Sequence, residues 1–363
     1  MLNVAIATGG SGGHIFPAIS IADELRRQFG EINIIFVGSR VGIEREILSK
    51  YNYKLETISV RRFHRYLTLK NLLLPYFVLK SFLQAGKILN KYNCDFVIGC
   101  GGFASGIVIL SAKYLGLPIF LQEQNSYPGL VTRKTAKIST RIFLGYEKAK
   151  EYLDFVNEKL IFSGNPIRKF EIVKKREALA YFSIKNKKTL FIYGGSQGSS
   201  PINGFISAIL EDLLLNKIQI IWQTGERDYE EINKKFGQKK LVLIKPFFHK
   251  MSYVYSASDL VVCRAGAISI SEIAYFSLPA IIIPFPYAAG QHQKLNALQL
   301  KNKNAAIVME EKNLDTSIFR EKIIELLAST PKREKLCQNI KDFSVGNSSE
   351  IIVDEIKKRM EQR

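Results

Sequence analysis

Three glycine-rich turns are the features of this 363-residue chain best suited to chemistry on an anionic substrate. They occupy residues 9–13, 101–102 and 194–198, and each follows an apolar run that is typical of a β-strand. Glycine allows backbone N–H groups to approach an oxyanion closely, and a helix that begins there adds the positive end of its dipole. Tight turns between strands and helices also use glycine, but three such turns in one chain favour the binding of a diphosphate.

His14 lies where the first of these turns enters a predicted helix, which Pro17 is suited to start. The positive end of the helix dipole disfavours the imidazolium form, so the ring stays neutral and able to accept a proton near pH 7. We therefore regard His14 as a candidate general base. A structural hydrogen bond and an anion contact are alternative roles that this position also allows.

A second group of polar residues lies between residues 263 and 297. Glu272 follows a helix start made of small residues, where a carboxylate can accept two hydrogen bonds from a ribose diol or complement the helix dipole. Four polar residues beyond a proline-rich loop could read sugar hydroxyls or serve as capping and surface groups: Gln291, His292, Gln293 and Asn296.

Metal ligands are not indicated by the spacing of acidic residues or cysteines. No Asp-x-Asp occurs in the chain, so a metal held by paired aspartates is not expected. The charge of a leaving group would then be met by backbone amides, helix ends and Arg168. The four cysteines lack CxxC spacing, which supports neither a disulfide framework nor a zinc site.

Eleven short β-rich runs alternate with helical stretches and must position these residues. The runs are residues 3–8, 32–38, 94–100, 117–122, 140–145, 188–194, 219–225, 241–246, 259–264, 279–285 and 305–309. Their rhythm predicts two α/β domains with parallel sheets, in which ligands bind at the carboxyl ends of the strands. Residues 4–25 and 190–210 repeat one order of strand, glycine turn and helix. Neither turn matches the dinucleotide fingerprint or the lysine-containing P-loop, which disfavours a dinucleotide or ATP.

A domain boundary is expected near residues 162–170, where Gly164, Asn165 and Pro166 precede a lysine-rich stretch. We predict an N-terminal domain of residues 1–163 and a C-terminal domain of residues 164–345. An amphipathic helix is expected at residues 346–363 and could pack on either domain, including back on the N-terminal one. Residues 273–293 lack charged side chains but contain three prolines, so no membrane-spanning segment is predicted.

The basic residues are concentrated in one part of the chain. The sequence carries 52 Lys and Arg against 33 Asp and Glu, a net charge of +19. Between residues 57 and 146, twelve cations stand against two acids, Asp95 and Glu123. The cations are Arg61, Arg62, Arg65, Lys70, Lys80, Lys87, Lys91, Lys113, Arg133, Lys134, Lys137 and Arg141.

Apolar residues lie between these cations: Leu72, Leu73, Leu74, Tyr76, Phe77, Leu79, Phe82 and Leu83. An apolar surface ringed by Lys and Arg favours an anionic bilayer face, where each cation contributes about 1 kcal/mol. We therefore expect residues 61–91 to contact an anionic membrane surface. A buried core helix explains some of these side chains. Nucleic acid is a less favoured alternative to the membrane, because aliphatic residues suit lipid better than bases.

Seven motifs, taken together, resemble the MurG family of N-acetylglucosaminyltransferases in order and spacing, over essentially the whole chain. They are GGSGGHIFPA, GGFASG, EQN, GNPIR, GGSQGS, CRAGAISISE and HQKLNA. The resemblance implies a GT-B fold, with two Rossmann-like parallel-sheet domains facing across a cleft. It also implies inverting transfer of GlcNAc, without a metal or other cofactor, from UDP-GlcNAc to the MurNAc 4-hydroxyl of undecaprenyl-pyrophosphoryl-MurNAc-pentapeptide (lipid I), giving lipid II. Attachment would be peripheral, at the cytoplasmic face of the inner membrane.

The resemblance also assigns roles to residues that match the motifs. His14 corresponds to the base on the acceptor side. Ser11, Gly12, Gly13 and Asn125 would face donor and acceptor, while Arg168 and Ser196 would contact the diphosphate. Glu272 would bind the ribose and Gln293 the GlcNAc hydroxyls. The other substrate-binding positions implied are Gln197, Phe248, Ala267, Ile268, Ser269, Ile270 and Ser271.

Three positions depart from the family pattern. Ser11 stands where threonine is usual, Phe103 where tyrosine is common, and Gln122 where histidine often precedes the EQN motif. The loss of a tyrosine hydroxyl at Phe103 puts any hydrogen bond from that position in doubt.

Two other functions fit parts of the sequence. A UDP-sugar 2-epimerase has the same architecture but would need additional acids for proton transfer at C2, and the N-terminal half offers few. A non-enzymatic basic protein that binds nucleic acid or membrane would explain the charge, and it predicts tight, salt-sensitive binding to DNA or RNA and no thermal shift with UDP.

Overall fold

The computed structural model describes residues 1–40, 44–60 and 74–362, apart from the side chain of Leu74. The chain forms two compact units. The first contains Met1–Arg168 and the C-terminal segment that starts at Asn347, and the second is Lys169–Gly346.

The first unit is built on a seven-stranded parallel sheet. Its strands are β1 (Leu2–Ala7), β2 (Ile32–Ser39), β3 (Lys54–Ile58), β4 (Phe96–Gly99), β5 (Ile119–Glu123), β6 (Arg141–Leu144) and β7 (Leu160–Phe162). They lie in the order β3-β2-β1-β4-β5-β6-β7. The inner strands β4 and β5 are buried along their whole length, as expected for a parallel sheet that is covered on both faces.

Five helices follow the strands of this unit: α1 (Gly12–Phe29), α2 (Glu44–Ser49), α3 (Leu74–Lys91), α4 (Phe103–Tyr114) and α5 (Leu130–Thr135). Helix α1 begins directly after the first glycine turn and buries Ile15, Ile19 and Leu25 against the sheet. Helices α3 and α4 bury Ala85, Leu89 and Val108 in a second apolar cluster. The sheet therefore has apolar side chains packed on both faces.

The second unit repeats this plan with a six-stranded parallel sheet. Its strands are β8 (Thr189–Tyr193), β9 (Gln219–Gln223), β10 (Val242–Lys245), β11 (Leu260–Cys263), β12 (Ala280–Ile282) and β13 (Ile307–Val308), in the order β10-β9-β8-β11-β12-β13. The helices are α6 (Lys175–Tyr181), α7 (Ser200–Leu215), α8 (Glu226–Phe236), α9 (Met251–Ala257), α10 (Ala267–Tyr275), α11 (His292–Asn302), α12 (Thr316–Ala328) and α13 (Thr330–Ile340).

The last helix, α14 (Ser348–Glu361), belongs to the first unit. Ile352, Val353 and Ile356 are fully buried in the apolar cluster that α1 and the sheet form. Polar contacts surround this seam. The Arg141 guanidinium donates to Glu355 at 2.8 Å, and the Gln28 amide donates to Asp354 at 2.8 Å.

The expectation of two parallel-sheet α/β domains is confirmed, and the eleven expected strands are all present. Two short edge strands, β3 and β7, were not predicted. The expected role of Pro17 is wrong, because α1 begins at Gly12 and Pro17 lies inside it. Proline has no N–H to donate to the carbonyl of residue 13, but the preceding turn is already formed by hydrogen bonds from His14 and Ile15 to the Ser11 carbonyl. Across the described residues, no helix combines the length and apolar character that a membrane crossing requires.

Candidate active site

Each sheet has one place where the strand order reverses along the chain. In the first unit β1 pairs with β2 on one side and β4 on the other, and in the second β8 pairs with β9 and β11. The loops after the two neighbouring strands lead to helices on opposite faces of the sheet, and they open the crevice in which α/β sheets bind ligands. The loops after β1, β4, β8 and β11 contain most of the residues expected to act on substrate.

His14 lies in the first turn of α1 and is held by the glycine turn before it. Its Nδ1 is 2.9 Å from the Gly9 carbonyl oxygen and 3.4 Å from the Ser11 hydroxyl. A carbonyl oxygen only accepts hydrogen bonds, so the shorter contact places the proton on Nδ1. The neutral ring then carries its lone pair on Nε2, which is the nitrogen that a general base would use.

The second glycine turn packs directly on the first. Gly101 has a φ of +95°, and a Cβ there would lie 2.8 Å from Cδ2 and 3.0 Å from Nε2 of His14. A Cβ on Gly102 would collide with the Gly9 carbonyl oxygen. Only glycine fits at these two positions, so the first unit brings together two of the turns that the sequence singled out.

The start of α1 suits an anion. Ser11 is the extended residue before the helix, and its side chain makes no capping hydrogen bond. Gly12 is buried, Gly13 is exposed, and the first turn contains no acidic residue. The positive end of the dipole of this 18-residue helix is therefore not neutralised by its own first turn.

Asn125 is positioned by a buried carboxylate that sequence reasoning did not single out. The side chain of Glu123 accepts hydrogen bonds from the Asn125 N–H at 3.1 Å, the Asn125 amide at 3.2 Å, the Gly129 N–H at 2.8 Å and the Thr132 hydroxyl at 2.6 Å. These four donors satisfy the side-chain oxygens of Glu123, a residue that is only 3% exposed. The available signal was its place at the end of a predicted strand, inside the EQN motif.

Buried amides connect the other loops of the first unit. The Gln124 amide donates to the Cys100 carbonyl at 2.9 Å and also contacts Gln122, while Asn165 donates to the Gln124 carbonyl at 3.0 Å. The Gln122 amide donates to Asn165 at 3.3 Å. This network links the ends of β4 and β5 to the segment after β7, so the glutamine at position 122 has a defined structural role.

Arg168 is the last residue of the N-terminal segment of the first unit. Its guanidinium lies over the ring of Phe16, 4.6 Å from the centroid. Phe16 is two residues beyond His14 on α1, so this cation contacts the helix that presents the candidate base. Contact with the aromatic face restricts the guanidinium, whose donors lie in one plane.

The third glycine turn lies at the strand reversal of the second unit. Ser196 and Gln197 are exposed at its tip, and Gly195 and Gly198 have φ values of +96° and +78°. A Cβ on Gly198 would collide with the Thr224 carbonyl. The turn therefore lies against the loop after β9, where only glycine fits.

Gln223 and Arg264 hold this turn, and sequence reasoning missed both roles. The buried Gln223 amide donates to the Gly195 carbonyl at 3.1 Å, and its oxygen accepts from the Phe248 N–H at 2.9 Å. Arg264 donates to the Ser199 hydroxyl at 2.7 Å, at the start of α7, and forms an ion pair with Glu311. The Phe248 ring is 3% exposed and packs among aromatic residues, so any ligand contact at that position falls to the backbone.

Helix α10 begins where β11 ends. Ala267, Ile268 and Ile270 direct their side chains into the interior, so only backbone groups of this first turn are suited to bind a ligand. Ser269 is half-buried and lies beside Tyr193, and Ser271 is buried. The helix carries no acidic residue in its first turn.

Glu272 sits one turn into α10 and is 5% exposed. Its Oε2 accepts from the Tyr255 hydroxyl at 2.9 Å, and the Tyr193 hydroxyl lies 3.1 Å from that of Tyr255. Burial raises the pKa of both tyrosines well above the usual value, and the Glu272 charge raises that of Tyr255 further. Tyr255 therefore stays protonated and donates to Glu272, which orients the carboxylate.

Gln293 lies in the first turn of α11. Its side-chain oxygen accepts from the Phe285 N–H at 2.9 Å, so the loop after β12 is attached to this helix. Gln291, immediately before the helix, has a φ of +54°, and the buried Asn296 donates to the Ala265 carbonyl at 3.2 Å. Within the described ranges, no group of three or more His, Cys, Asp or Glu is placed to hold a metal ion.

Comparison with known proteins identifies the class. The model of the glycosyltransferase family 28 N-terminal domain matches residues 4–144, and that of the C-terminal domain of the same family matches residues 189–350. Together with the glycine turns at both strand reversals, these matches define the chain as a glycosyltransferase. The expected GT-B class of fold, with two Rossmann-like domains, is confirmed.

Full-length relatives identify the family. The UDP-N-acetylglucosamine--N-acetylmuramyl-(pentapeptide) pyrophosphoryl-undecaprenol N-acetylglucosamine transferase of Flavobacterium psychrophilum is 39% identical over 362 residues, which cover 99% of this chain and 98% of that protein. The protein of the same name from Halalkalibacterium halodurans is 34% identical, covering 98% of this chain and all of that protein. The chain belongs to this family of N-acetylglucosamine transferases, the MurG family, within glycosyltransferase family 28.

Solved structures share the fold. The crystal structure of Acinetobacter baumannii MurG has a TM-score of 0.77 at 22% identity, covering 99% of this chain and all of that one. UDP-GlcNAc 2-epimerase from Neisseria meningitidis, solved with UDP-GlcNAc, has a TM-score of 0.70 at 16% identity, covering 98% of this chain and all of that one. Transferases and epimerases therefore share this architecture, and the fold alone does not separate them.

Proposed function

We propose that the chain transfers GlcNAc from UDP-GlcNAc to the MurNAc 4-hydroxyl of lipid I, which yields lipid II for peptidoglycan synthesis. Transfer inverts the anomeric centre and uses neither a metal ion nor another cofactor. Relatives at 39% and 34% identity are named for this substrate pair. The structural observation that carries the proposal is a glycine turn opening a helix at the strand reversal of both sheets, since a diphosphate can be held there by backbone N–H groups.

The second unit binds the donor in this proposal. Ser196 and Gln197 are exposed on the glycine turn, where they and the neighbouring N–H groups meet the diphosphate. The backbone of residues 267–271 holds the nucleotide, and Glu272, oriented by Tyr255, accepts hydrogen bonds from the ribose hydroxyls. Gln293 supplies its amide N–H groups to the GlcNAc hydroxyls, because its oxygen is engaged by the Phe285 N–H.

The first unit binds the acceptor and supplies the base. The pyrophosphate of lipid I lies at the start of α1, near Ser11, Gly12 and Gly13, and Asn125 orients the sugar. His14 Nε2 takes the proton of the MurNAc 4-hydroxyl while that oxygen bonds to C1 of GlcNAc. The bond from C1 to the diphosphate breaks, and UDP leaves with the electron pair. Arg168, the turn at Ser196 and the start of α10 stabilise the charge on UDP.

A purified assay tests this function. Incubation with UDP-GlcNAc and a lipid I analogue in EDTA is expected to release one UDP for each disaccharide product. UDP-GlcNAc alone is expected to give no UDP-ManNAc. A requirement for added divalent ion, or the absence of product in a folded preparation, would refute the proposal. Formation of UDP-ManNAc from the donor alone would favour the 2-epimerase.

Helix α3 carries the proposed membrane contact. Five residues form one exposed stripe along it: Tyr76, Leu79, Lys80, Leu83 and Lys87. The two leucines are 59% and 55% exposed, whereas Phe82, Ala85 and Leu89 on the opposite side pack on the core. Phe77 is half-buried, and Leu72, Leu73, Arg61, Arg62, Arg65 and Lys70 lie outside the described residues.

Neighbouring elements extend this face. Helix α4 packs beside α3, with the rings of Phe82 and Tyr114 5.9 Å apart, and exposes Leu110 and Tyr114. The two acids between residues 57 and 146, Asp95 and Glu123, form hydrogen bonds within the protein. Asp95 accepts from the Asn3 N–H at 2.7 Å, and Glu123 holds the EQN loop. We propose that this face attaches the enzyme peripherally to anionic lipid at the cytoplasmic side of the inner membrane.

Replacement of Leu79 and Leu83 by serine is expected to lower partitioning onto phosphatidylglycerol vesicles by at least about tenfold, because an inserted leucine contributes about 1.5–3 kcal/mol. Sedimentation with vesicles measures the change. The matched control replaces Leu215 and Ile318, which are 79% and 57% exposed in the second unit. Equal losses in both variants, or none in the first, would contradict the assignment of this face. Activity on a short-chain acceptor should be retained.

A further inference from the structure

Glu44 is a buried acid beside the first glycine turn. It is the first residue of α2, and its side chain is fully buried. Its Oε1 accepts a hydrogen bond from the Gly10 N–H at 3.0 Å. A buried carboxyl group is costly unless it is hydrogen-bonded, so its position against this one turn needs an explanation.

The turn is shaped to receive this carboxyl group. A Cβ on Gly9 would lie 2.7 Å from Glu44 Oε1, and a Cβ on Gly38 would lie 3.4 Å from Glu44 Cγ. The absence of side chains at these two positions gives the carboxyl group its space. Glycine at position 9 therefore leaves room for the carboxyl group in this position, in addition to allowing the approach of a ligand.

One peptide group joins Glu44 to His14. The carbonyl of Gly9 and the N–H of Gly10 belong to the same peptide bond. That N–H donates to Glu44, and that carbonyl accepts from His14 Nδ1 at 2.9 Å. The group between two glycines has little steric resistance to rotation, so a carboxyl group on its N–H fixes the direction of its carbonyl. Hydrogen bonds on both ends of a peptide group also strengthen one another.

We infer that Glu44 is a positioning residue, which acts through the Gly9–Gly10 peptide group to hold the proton of His14 on Nδ1 and so keep Nε2 as the proton acceptor. This inference rests on the proposed function, in which His14 is the base. In this inference Glu44 acts on the imidazole only through that peptide group. It performs the task that a carboxylate bonded to a catalytic histidine performs in hydrolases, with one peptide group interposed.

Nitrogen NMR of the imidazole rings tests the inference without substrate. The chain has four histidines, so selective ¹⁵N labelling gives few signals, and His14→Ala assigns one ring. We expect the His14 ring of the native protein to show a protonated Nδ1 and an unprotonated Nε2. Glu44→Ala should shift these signals toward the tautomer mixture of a solvated ring. Glu44→Gln retains an acceptor oxygen for the Gly10 N–H and should keep the native tautomer.

Activity provides the second measurement. Glu44→Ala should lower kcat by about tenfold, less than the about 10²–10⁴-fold that loss of a general base costs. Glu44→Gln should remain within a few-fold of the native rate. Glu46→Gln is the matched control, since Glu46 lies on the same helix, is exposed and pairs only with Lys50 at 3.4 Å among the described residues. It should change neither measurement.

The outcomes separate the inference from the proposed function. Unchanged nitrogen signals in Glu44→Ala would overturn the inference. A Glu44→Gln variant that keeps the native signals but loses as much kcat as Glu44→Ala would also overturn it. If Glu44→Ala does not fold, a Glu44→Leu variant takes its place in the comparison with Glu44→Gln. A native His14 tautomer in the leucine variant would then overturn the inference. A native protein that forms no disaccharide would refute the function, whatever the signals show.

Discussion

Replacement of His14 by alanine is expected to lower kcat for GlcNAc transfer by about 10²–10⁴-fold, the range that general-base assistance contributes. The Kd for UDP-GlcNAc should stay near the native value, because His14 is proposed to contact the acceptor, and the proposed donor contacts other than Arg168 lie in the second unit. Steady-state rates with saturating acceptor, together with calorimetric titration of the donor, measure the two quantities. An unchanged kcat would remove His14 from the role of base.

His14→Asn separates the structural role of this residue from its chemical role. The asparagine amide can place an N–H near the position of Nδ1 and donate to the Gly9 carbonyl, but it has no basic nitrogen. We therefore expect a melting temperature closer to the native value than that of His14→Ala, with the same loss of kcat. Native activity in the asparagine variant would show that the hydrogen bond to Gly9, and not proton transfer, is what the enzyme requires.

Replacement of Glu272 by glutamine is expected to raise the KM for UDP-GlcNAc by roughly 10-fold to 100-fold with a much smaller effect on kcat. Hydrogen bonds to a charged group contribute about 1.5–3 kcal/mol, and the amide loses that charge while keeping the shape of the side chain. Its oxygen can still accept from Tyr255, so the interior of the second unit stays intact. Initial rates at varied donor concentration, and the Kd for UDP, measure the effect.

Tyr255→Phe is the companion variant for Glu272. It removes the hydroxyl that orients the carboxylate but leaves the charge, so we expect a smaller increase in the KM for UDP-GlcNAc. Phenylalanine fills nearly the same volume beside Phe170 and Phe276, which limits the loss of stability. If Glu272→Gln binds UDP as tightly as the native enzyme, the carboxylate is a structural partner of Tyr255 and not a ribose ligand.

Sequence reasoning succeeded where a feature is local. Eleven strands lie within runs rich in apolar residues, and all eleven were predicted. β3 and β7 were missed because neither stands out as an extended apolar run: KLETI has two charged side chains among its five, and LIF has only three residues. Pro17 was read as a helix start because proline favours the first turn, but the glycines before it already permit helical hydrogen bonds to the Ser11 carbonyl.

The residues that orient the candidate site could not be predicted in the same way. Glu44 reaches Gly10 across 34 positions, and Gln223 reaches Gly195 across 28. Such pairs meet only when strand order brings their loops together. The exposed side of α3 was likewise not decidable from its composition, because leucines occur both on the stripe and on the face that packs on the core. The glycine turns and His14 were found because their chemistry lies in consecutive residues.

The position of the last helix has a consequence for biosynthesis. Ile352, Val353 and Ile356 complete an apolar cluster whose other members, such as Ile15 and Ile19, leave the ribosome first. The second unit is one continuous segment and can close its core while the chain is still being made. The core of the first unit remains incomplete until α14 has left the ribosome, so a nascent chain cannot acquire a finished first unit before that helix emerges.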